Sequence, residues 1–215
     1  MPLRSKPAVK ICGLTRAEDV ESAILYGASF LGFIVECPSK RRLSVAQATR
    51  LSAPARRIIP RVAVTVNPDD ALIDRILTKM QPDYIQLHGD ETPARAAEIA
   101  RKCKLIKAVG IASDLDMKTA ETYAGLADFI LYDAKPPKGE AVRGGHGVAI
   151  DWSIIAKAPT PKIFAIAGGL TPKNVKRAIA ATRAPIVDVS SGVEASAGVK
   201  DALKIAAFMK AVENG

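Results

Sequence analysis

The stretch "AVKICGLTRAED", residues 8–19, decides the fold. Val9 and Ile11 read as strand, Gly13 breaks it, and Thr15 with Glu18 three places on reads as a capping box opening a helix. The apolar spacing of "AEDVESAILYGA" carries that helix onward. The strand's last residue is Cys12, a thiol aimed at the turn. Everything downstream repeats this strand–turn–helix unit.

Seven further short apolar runs follow: "FLGFIV" (30–35), "RVAVTV" (61–66), "DYIQLH" (83–88), "LIKAVGI" (105–111), "DFILYD" (128–133), "KIFAIAG" (162–168) and "PIVDVS" (185–190). Most are near-continuous in Val, Ile, Leu and Phe, the pattern of strands buried on both faces of a parallel sheet. Helix starts lie between them. Ser44 with Gln47 reads as a capping box, and Asn67-Pro68, Thr92-Pro93 and Thr171-Pro172 each place a capping residue before a proline at the first helical position. Eight strand–helix units without a large insertion, in 215 residues, predict an α/β chain folded as one (β/α)8 TIM barrel over 1–215. A doubly wound sheet is the rival. The segments "KICGLTRAEDVESA" (10–23) and "KAVGIASDLDMKTA" (107–120) share Lys, Gly, Asp and Ala, which a half-barrel duplication or chance would produce. The longest loop, 134–150, is rich in Gly and Pro and reads as a lid or a disordered segment.

Composition narrows the function. No stretch reaches the ~18 apolar residues of a membrane helix, and no signal peptide is visible, so a soluble cytoplasmic protein with no membrane partner is expected. Three cysteines, an odd number without a CxxC pair, argue against a disulfide framework and a zinc knuckle; with only two histidines, a mechanism without metal or other cofactor is favoured. The net charge of +9 suits nucleic acid, but the signs are interspersed and only 5% of residues are aromatic, so no nucleic-acid partner is expected.

In a barrel the active face is the C-terminal end of the strands. Cys12, His88, Asp133, Gly168-Gly169 and Ser190-Ser191 all stand there. Cys37 and Cys103 read as small buried hydrophobes. Cys12 differs because Lys10 points the same way and a helix starts nearby, both of which lower a thiol pKa. Asp133, after a hydrophobic run, is either a loop cap or a carboxyl held protonated by apolar neighbours and able to act as a general acid. A thiolate base facing a carboxylic acid suits an isomerisation. Glycines in "FAIAGGLTPKNV" (164–175) and the turn "VDVSSGVE" (187–194), with Gly192, offer backbone N–H groups to an anion at strands seven and eight, the usual phosphate site of the fold. Arg41 and Arg42 follow strand two, where an arginine grips a carboxylate bidentately or is simply solvated. His88 reads as structural, and His146 has no assigned role.

Together "KICGLT", "SKRR", "QLHGDE", "LYDAK", "GGHG..IDWS", "AGGLTPKNV" and "VDVSSGVE...G.KD" resemble the phosphoribosylanthranilate isomerase family of tryptophan biosynthesis. The resemblance implies a cofactor-independent (β/α)8 barrel, monomer or homodimer, acting on a small phosphorylated anionic substrate. The implied reaction is an Amadori rearrangement of N-(5-phosphoribosyl)anthranilate to 1-(2-carboxyphenylamino)-1-deoxyribulose 5-phosphate. It makes Cys12 the general base and Asp133 the general acid, gives Arg41 the anthranilate carboxylate, and gives Gly168, Gly169, Ser190, Ser191 and Gly192 the phosphate at the opposite end. Arg42 stands where the family often has an aromatic, so Arg42 is the alternative carboxylate ligand. The related isomerase of the histidine pathway, with two phosphates to bind, is expected to carry an Asp at the end of strand one and a second glycine turn; "VAVTVNPD" shows none. A ribulose-phosphate epimerase would need metal-binding histidines, and a non-catalytic sugar-phosphate binder on the same scaffold is the remaining alternative.

Overall fold

The computed structural model describes residues 6–135 and 151–213. Eight strands, β1 (Ala8–Cys12), β2 (Phe30–Val35), β3 (Arg61–Thr65), β4 (Tyr84–Leu87), β5 (Leu105–Ile111), β6 (Phe129–Ala134), β7 (Phe164–Ile166) and β8 (Ile186–Val189), alternate with eight helices. The helices are α1 (Ala17–Leu25), α2 (Val45–Ser52), α3 (Asp70–Arg75), α4 (Pro93–Ala100), α5 (Asp114–Glu121), α6 (Trp152–Lys157), α7 (Val175–Thr182) and α8 (Ala202–Glu213). Every strand pairs in parallel with its neighbours in chain order, and β1 pairs with both β2 and β8. The sheet is closed, which settles the barrel against the doubly wound sheet. Only 134 and 135 of the expected lid lie among the described residues; the rest of it, with His146, lies outside them.

Alternation along each strand divides the buried side chains into two sets. One set, with Val9, Ile11, Leu31, Phe33, Ile85, Leu87, Ile130, Ile166 and Val187, packs outward against the helices. The other fills the lumen. The pairing register stacks the lumen in layers drawn alternately from even and odd strands, the packing expected of this fold. Phe30, Tyr84 and Phe129 form the floor, their ring centroids 5.9, 6.1 and 6.0 Å apart. Above it come Lys10, Val62, Ile106 and Ala165, then Gly32, Gln86, Leu131 and Asp188, then Cys12, Val64, Ala108 and Ala167. Ile34, His88, Asp133 and Ser190 crown the stack at the C-terminal mouth. A bulky aromatic floor and small residues above it leave the open space at the mouth.

Five helix starts separate propensity from context. Ser44 and Gln47 form the expected capping box, and Thr92 accepts from the Arg95 N–H at 3.2 Å. The expected box at Thr15 is absent: α1 is preceded by Arg16 without a side-chain cap, and Thr15 Oγ1 donates to the Gly198 carbonyl instead. Arg16 and Asp19 pair with each other, and Asp19 also accepts the Lys200 N–H at 3.1 Å. Asn67 does not cap α3; Asp69 does, and Asn67, at φ +47°, accepts the Asp90 N–H at 2.9 Å. Thr171 does not start α7, because Asn174 Oδ1 takes the Thr171 N–H at 2.7 Å and the helix begins at Val175. In each departure a polar side chain ties one active-face turn to another, or to itself, and the helix starts later. The half-barrel echo also fails in the strands: Lys10 points into the lumen, whereas Lys107 points outward to Glu91, at 2.8 Å. No helix among the described residues is long and apolar enough to cross a membrane.

Candidate active site

The mouth of the barrel opens on a cleft whose empty space, open solvent included, is about 900 Å³. Cys12, Arg41, Asp133, Gly168, Gly169, Ser190 and Ser191 all line it, joined by His88, Asp188 and Cys37. Of the residues expected at the site only Gly192 does not; it lies beneath, where a Cβ would come within 1.8 Å of the Leu170 carbonyl oxygen. The close approach locks the turn after β8 onto the turn after β7.

Those two turns have the shape of an anion cradle. Gly168 and Gly169 lie at φ +82° and +62°, a left-handed pair that side-chain-bearing residues rarely adopt. A Cβ on Gly168 would lie 2.6 Å from the Ala134 backbone nitrogen. Asn174 secures the first turn by donating to the Gly169 carbonyl at 2.9 Å. In the second, Ser191–Val193 coil into one tight helical turn, and Lys200 Nζ donates to the Ser190 carbonyl at 3.1 Å. Consecutive backbone N–H groups in such turns, with a cation at hand, are built for a phosphate.

Cys12 stands on β1 in the layer just below the crown. Burial pushes its thiol up from the ordinary value; the Lys10 ammonium is the largest opposing influence, Asp188 adds to the rise, and Lys200 opposes it. The expectation of a lowered thiol is therefore corrected. Lys10 acts in the expected direction, but removal of the sulfur from water outweighs it.

Asp133 on β6 is not surrounded only by apolar groups. The Ala134 N–H donates to its Oδ1 at 2.8 Å, and its Oδ2 lies 3.0 Å from His88 Nε2. His88 Nδ1 lies 3.0 Å from the Gln86 amide nitrogen, and the buried Gln86 Oε1 has no partner among the described residues. With Gln86 Nε2 donating to Nδ1, His88 carries its proton on Nε2 and donates to Asp133. With the amide turned over, Nδ1 donates to Gln86 Oε1 and a protonated Asp133 donates to Nε2. The two amide orientations thus match the two protonation states of the carboxyl. His88, read from sequence as structural, is a direct partner of Asp133 at the cavity wall.

Arg41 and Arg42 separate cleanly. Arg42 is exposed and pairs with Glu36 at 2.7 Å. Arg41 is buried at the cavity wall, and its Nε and Nη2 each reach a Glu194 oxygen at 2.7 Å. Lys200 Nζ also holds Glu194, at 2.8 Å. A Cβ on Gly13 would lie 2.4 Å from Arg41 Cδ and 3.0 Å from Ser190 Oγ, so the guanidinium arm runs beside the anion cradle.

The sequence reading missed Asp188, Glu194 and Lys200 as site residues. Period-two alternation from Ser190 at the crown places Asp188 in the lumen, and a carboxylate there needs the lysine that β1 supplies. Glu194 and Lys200 stand in the motif "VDVSSGVE...G.KD" that carries the resemblance, but the motif gave them no role. Among the described residues no group of His, Cys, Asp and Glu is arranged to hold a metal ion.

Comparison with known proteins agrees with this geometry. A family model described as N-(5'-phosphoribosyl)anthranilate (PRA) isomerase matches residues 9–211. The N-(5'-phosphoribosyl)anthranilate isomerase of Paracoccus denitrificans is 46% identical over 204 residues, covering 94% of this chain and 95% of that one. The crystal structure of phosphoribosyl anthranilate isomerase from Thermotoga maritima superimposes with a TM-score of 0.88 at 37% identity, covering 97% of this chain and 100% of that one. A second isomerase structure, in complex with reduced 1-(o-carboxyphenylamino)-1-deoxyribulose 5-phosphate, gives a TM-score of 0.83 at 34% identity, again over 97% and 100% of the two chains. A closed parallel barrel with a thiol, a carboxyl and a double anion turn at one mouth, matched over nearly its whole length, makes this chain a member of the phosphoribosylanthranilate isomerase family.

Proposed function

We propose that the protein converts N-(5-phosphoribosyl)anthranilate to 1-(2-carboxyphenylamino)-1-deoxyribulose 5-phosphate, as a cytoplasmic enzyme of tryptophan biosynthesis acting as a monomer or homodimer. The observation that carries the reading is that Cys12, Asp133 and the two anion turns line one cavity.

The phosphate sits in the turns at Gly168-Gly169 and Ser190-Ser191-Gly192. Asp133, in its protonated form, gives its proton to the ribose ring oxygen as the C1–O bond breaks and the anilino nitrogen pushes in, leaving an open-chain protonated imine. Cys12, as thiolate, removes the C2 proton, and the electron pair closes onto C1 to give the enolamine. The enol O–H proton returns to Asp133, C1 takes a proton from the Cys12 thiol, and the ketone results with both groups restored. The imine's positive charge forms next to the sulfur and favours the thiolate that the resting site disfavours. Arg41 takes the anthranilate carboxylate through the guanidinium edge that Glu194 leaves open. Holding both anionic ends fixes the reacting carbons between base and acid.

The test follows the fluorescence of phosphoribosylanthranilate as it is consumed. The parent protein consumes it without added metal or coenzyme, and a parent protein that binds the product without consuming the substrate would make the chain a non-catalytic sugar-phosphate binder.

A further inference from the structure

Lys10 is fully buried in an otherwise apolar layer of the lumen, with Val62, Ile106 and Ala165. Its ammonium is 3.1 Å from Asp188 Oδ2, while Asp188 Oδ1 is buried without a partner among the described residues. As a stabilising device this is poor. Two charges have been taken out of water, one carboxylate oxygen is unpaired, and apolar side chains of similar volume would fill the space without that cost. The pair's location gives it a different use. A Cβ on Gly32, the neighbouring lumen position, would lie 2.8 Å from Cys12 Sγ and 3.0 Å from Lys10 Nζ. The missing side chain of Gly32 is the space in which sulfur and ammonium come together.

We propose that Lys10 is a positioning residue for the isomerisation: anchored by Asp188 and admitted by Gly32, its ammonium is the counter-ion of the Cys12 thiolate. The proposal rests on the reading of Cys12 as the base. It assigns a sign to each partner. Lys10 favours the thiolate and Asp188 opposes it, in keeping with the opposite pulls of the two groups on the Cys12 thiol. The other charged or titratable groups around the sulfur are Cys37 and Arg41 from the loop after β2, Lys200 after β8, and His88 and Asp133 across the cavity. All of these stay in place in the variants below.

The experiment measures the rate of Cys12 alkylation by iodoacetamide against pH, with the modified site read by peptide mass mapping, and reads the pH of half-maximal rate. Lys10→Met should move that midpoint up by at least about one pH unit, a tenfold loss of thiolate at a given pH, and Asp188→Asn should move it down. The rising limb of kcat/KM against pH should move with the midpoint in each variant. A merely structural pair would move neither, or both in the same direction, and either result overturns the proposal. If Lys10→Met does not fold, Gly32→Ala replaces it, since the added Cβ must part sulfur and ammonium; its midpoint should rise, and an unchanged midpoint overturns the proposal. Cys12→Ala turning over at the parent rate would defeat the base reading itself, and with it any catalytic use of Lys10, whatever the alkylation shows.

Discussion

Arg41 and Glu194 meet in a bidentate pair, Nε to Oε1 and Nη2 to Oε2, both at 2.7 Å. The contact spans 153 positions of sequence and fastens the loop after β2 to the turn after β8. It fixes the guanidinium plane at the cavity wall and leaves Nη1 as the edge not bonded to protein among the described residues. A planar, bidentate arginine with one face free is suited to a second carboxylate.

Arg41→Ala should therefore raise KM for phosphoribosylanthranilate about 10- to 100-fold, the cost of one charge-assisted hydrogen-bond pair, with a smaller change in kcat. Arg42→Ala, which removes only an exposed ion pair with Glu36, should leave both constants near the parent values. Steady-state kinetics of the two variants side by side decide it. A silent Arg41→Ala with an impaired Arg42→Ala would transfer the role to Arg42.

The same pair predicts an acid-sensitive contribution to stability. Burial, the largest single influence, pushes the Glu194 carboxyl up, but Arg41 and Lys200 together outweigh it and hold the group below its ordinary value of 4.5. A carboxyl depressed in the folded state contributes stability that is present above its unfolded value and lost as pH falls through the folded value. Glu194→Gln should be less stable than the parent at pH 7, and the gap should narrow as pH falls below about 4.5. Urea unfolding of both proteins at a series of pH values measures it; a gap independent of pH would mean that the charge on Glu194 contributes nothing.

The twin turns predict a steric phenotype. Gly192→Ala would press a methyl group onto the Leu170 carbonyl, and Gly168→Ala combines a crowded Cβ with a left-handed backbone. Each should weaken inhibition by inorganic phosphate and by product, with destabilisation of about 1–3 kcal/mol for a strained or overpacked site. Gly125→Ala, at another positive φ with nothing within 4 Å of its Cβ, is the control for backbone strain away from the cradle. Equal loss of phosphate inhibition in all three variants would detach the cradle from phosphate binding.

How much of this was legible in the chain varies by element. All eight strands were, because continuous Val, Ile, Leu and Phe runs reflect burial on both faces, and two of them, "FLGFIV" and "LIKAVGI", match residue for residue. Cys12, Asp133 and the glycine turns were legible because strand ends define the active face in this architecture. Helix starts were legible only where local capping is the whole story, at Ser44 and Thr92. At Thr15, Asn67 and Thr171 the side chain is taken by a tertiary or loop contact, which no local pattern encodes. The sign of the Cys12 shift was not legible either, since it depends on how completely the barrel removes the sulfur from water. Nor were the partners of Arg41 and Asp133, because Glu194 and His88 reach them from other units of the barrel.

His88 carries a further expectation. Its Nε2 is 3.0 Å from Asp133 Oδ2, so His88→Asn should leave the carboxyl without its ring partner. We expect kcat to fall about 10- to 100-fold, within the range of acid–base contributions, and the falling, alkaline limb of the kcat profile, the one a general acid sets, to move while KM changes little. An unchanged pH profile would return His88 to a structural role.

The account depends most directly on Cys12 as the group that takes the C2 proton. The measurement is single-turnover loss of phosphoribosylanthranilate fluorescence by Cys12→Ala, alongside product affinity by titration. The account predicts a rate at least about a hundredfold below the parent, as for removal of a general base, with product affinity retained. A Cys12→Ala protein that turns over at the parent rate would contradict it.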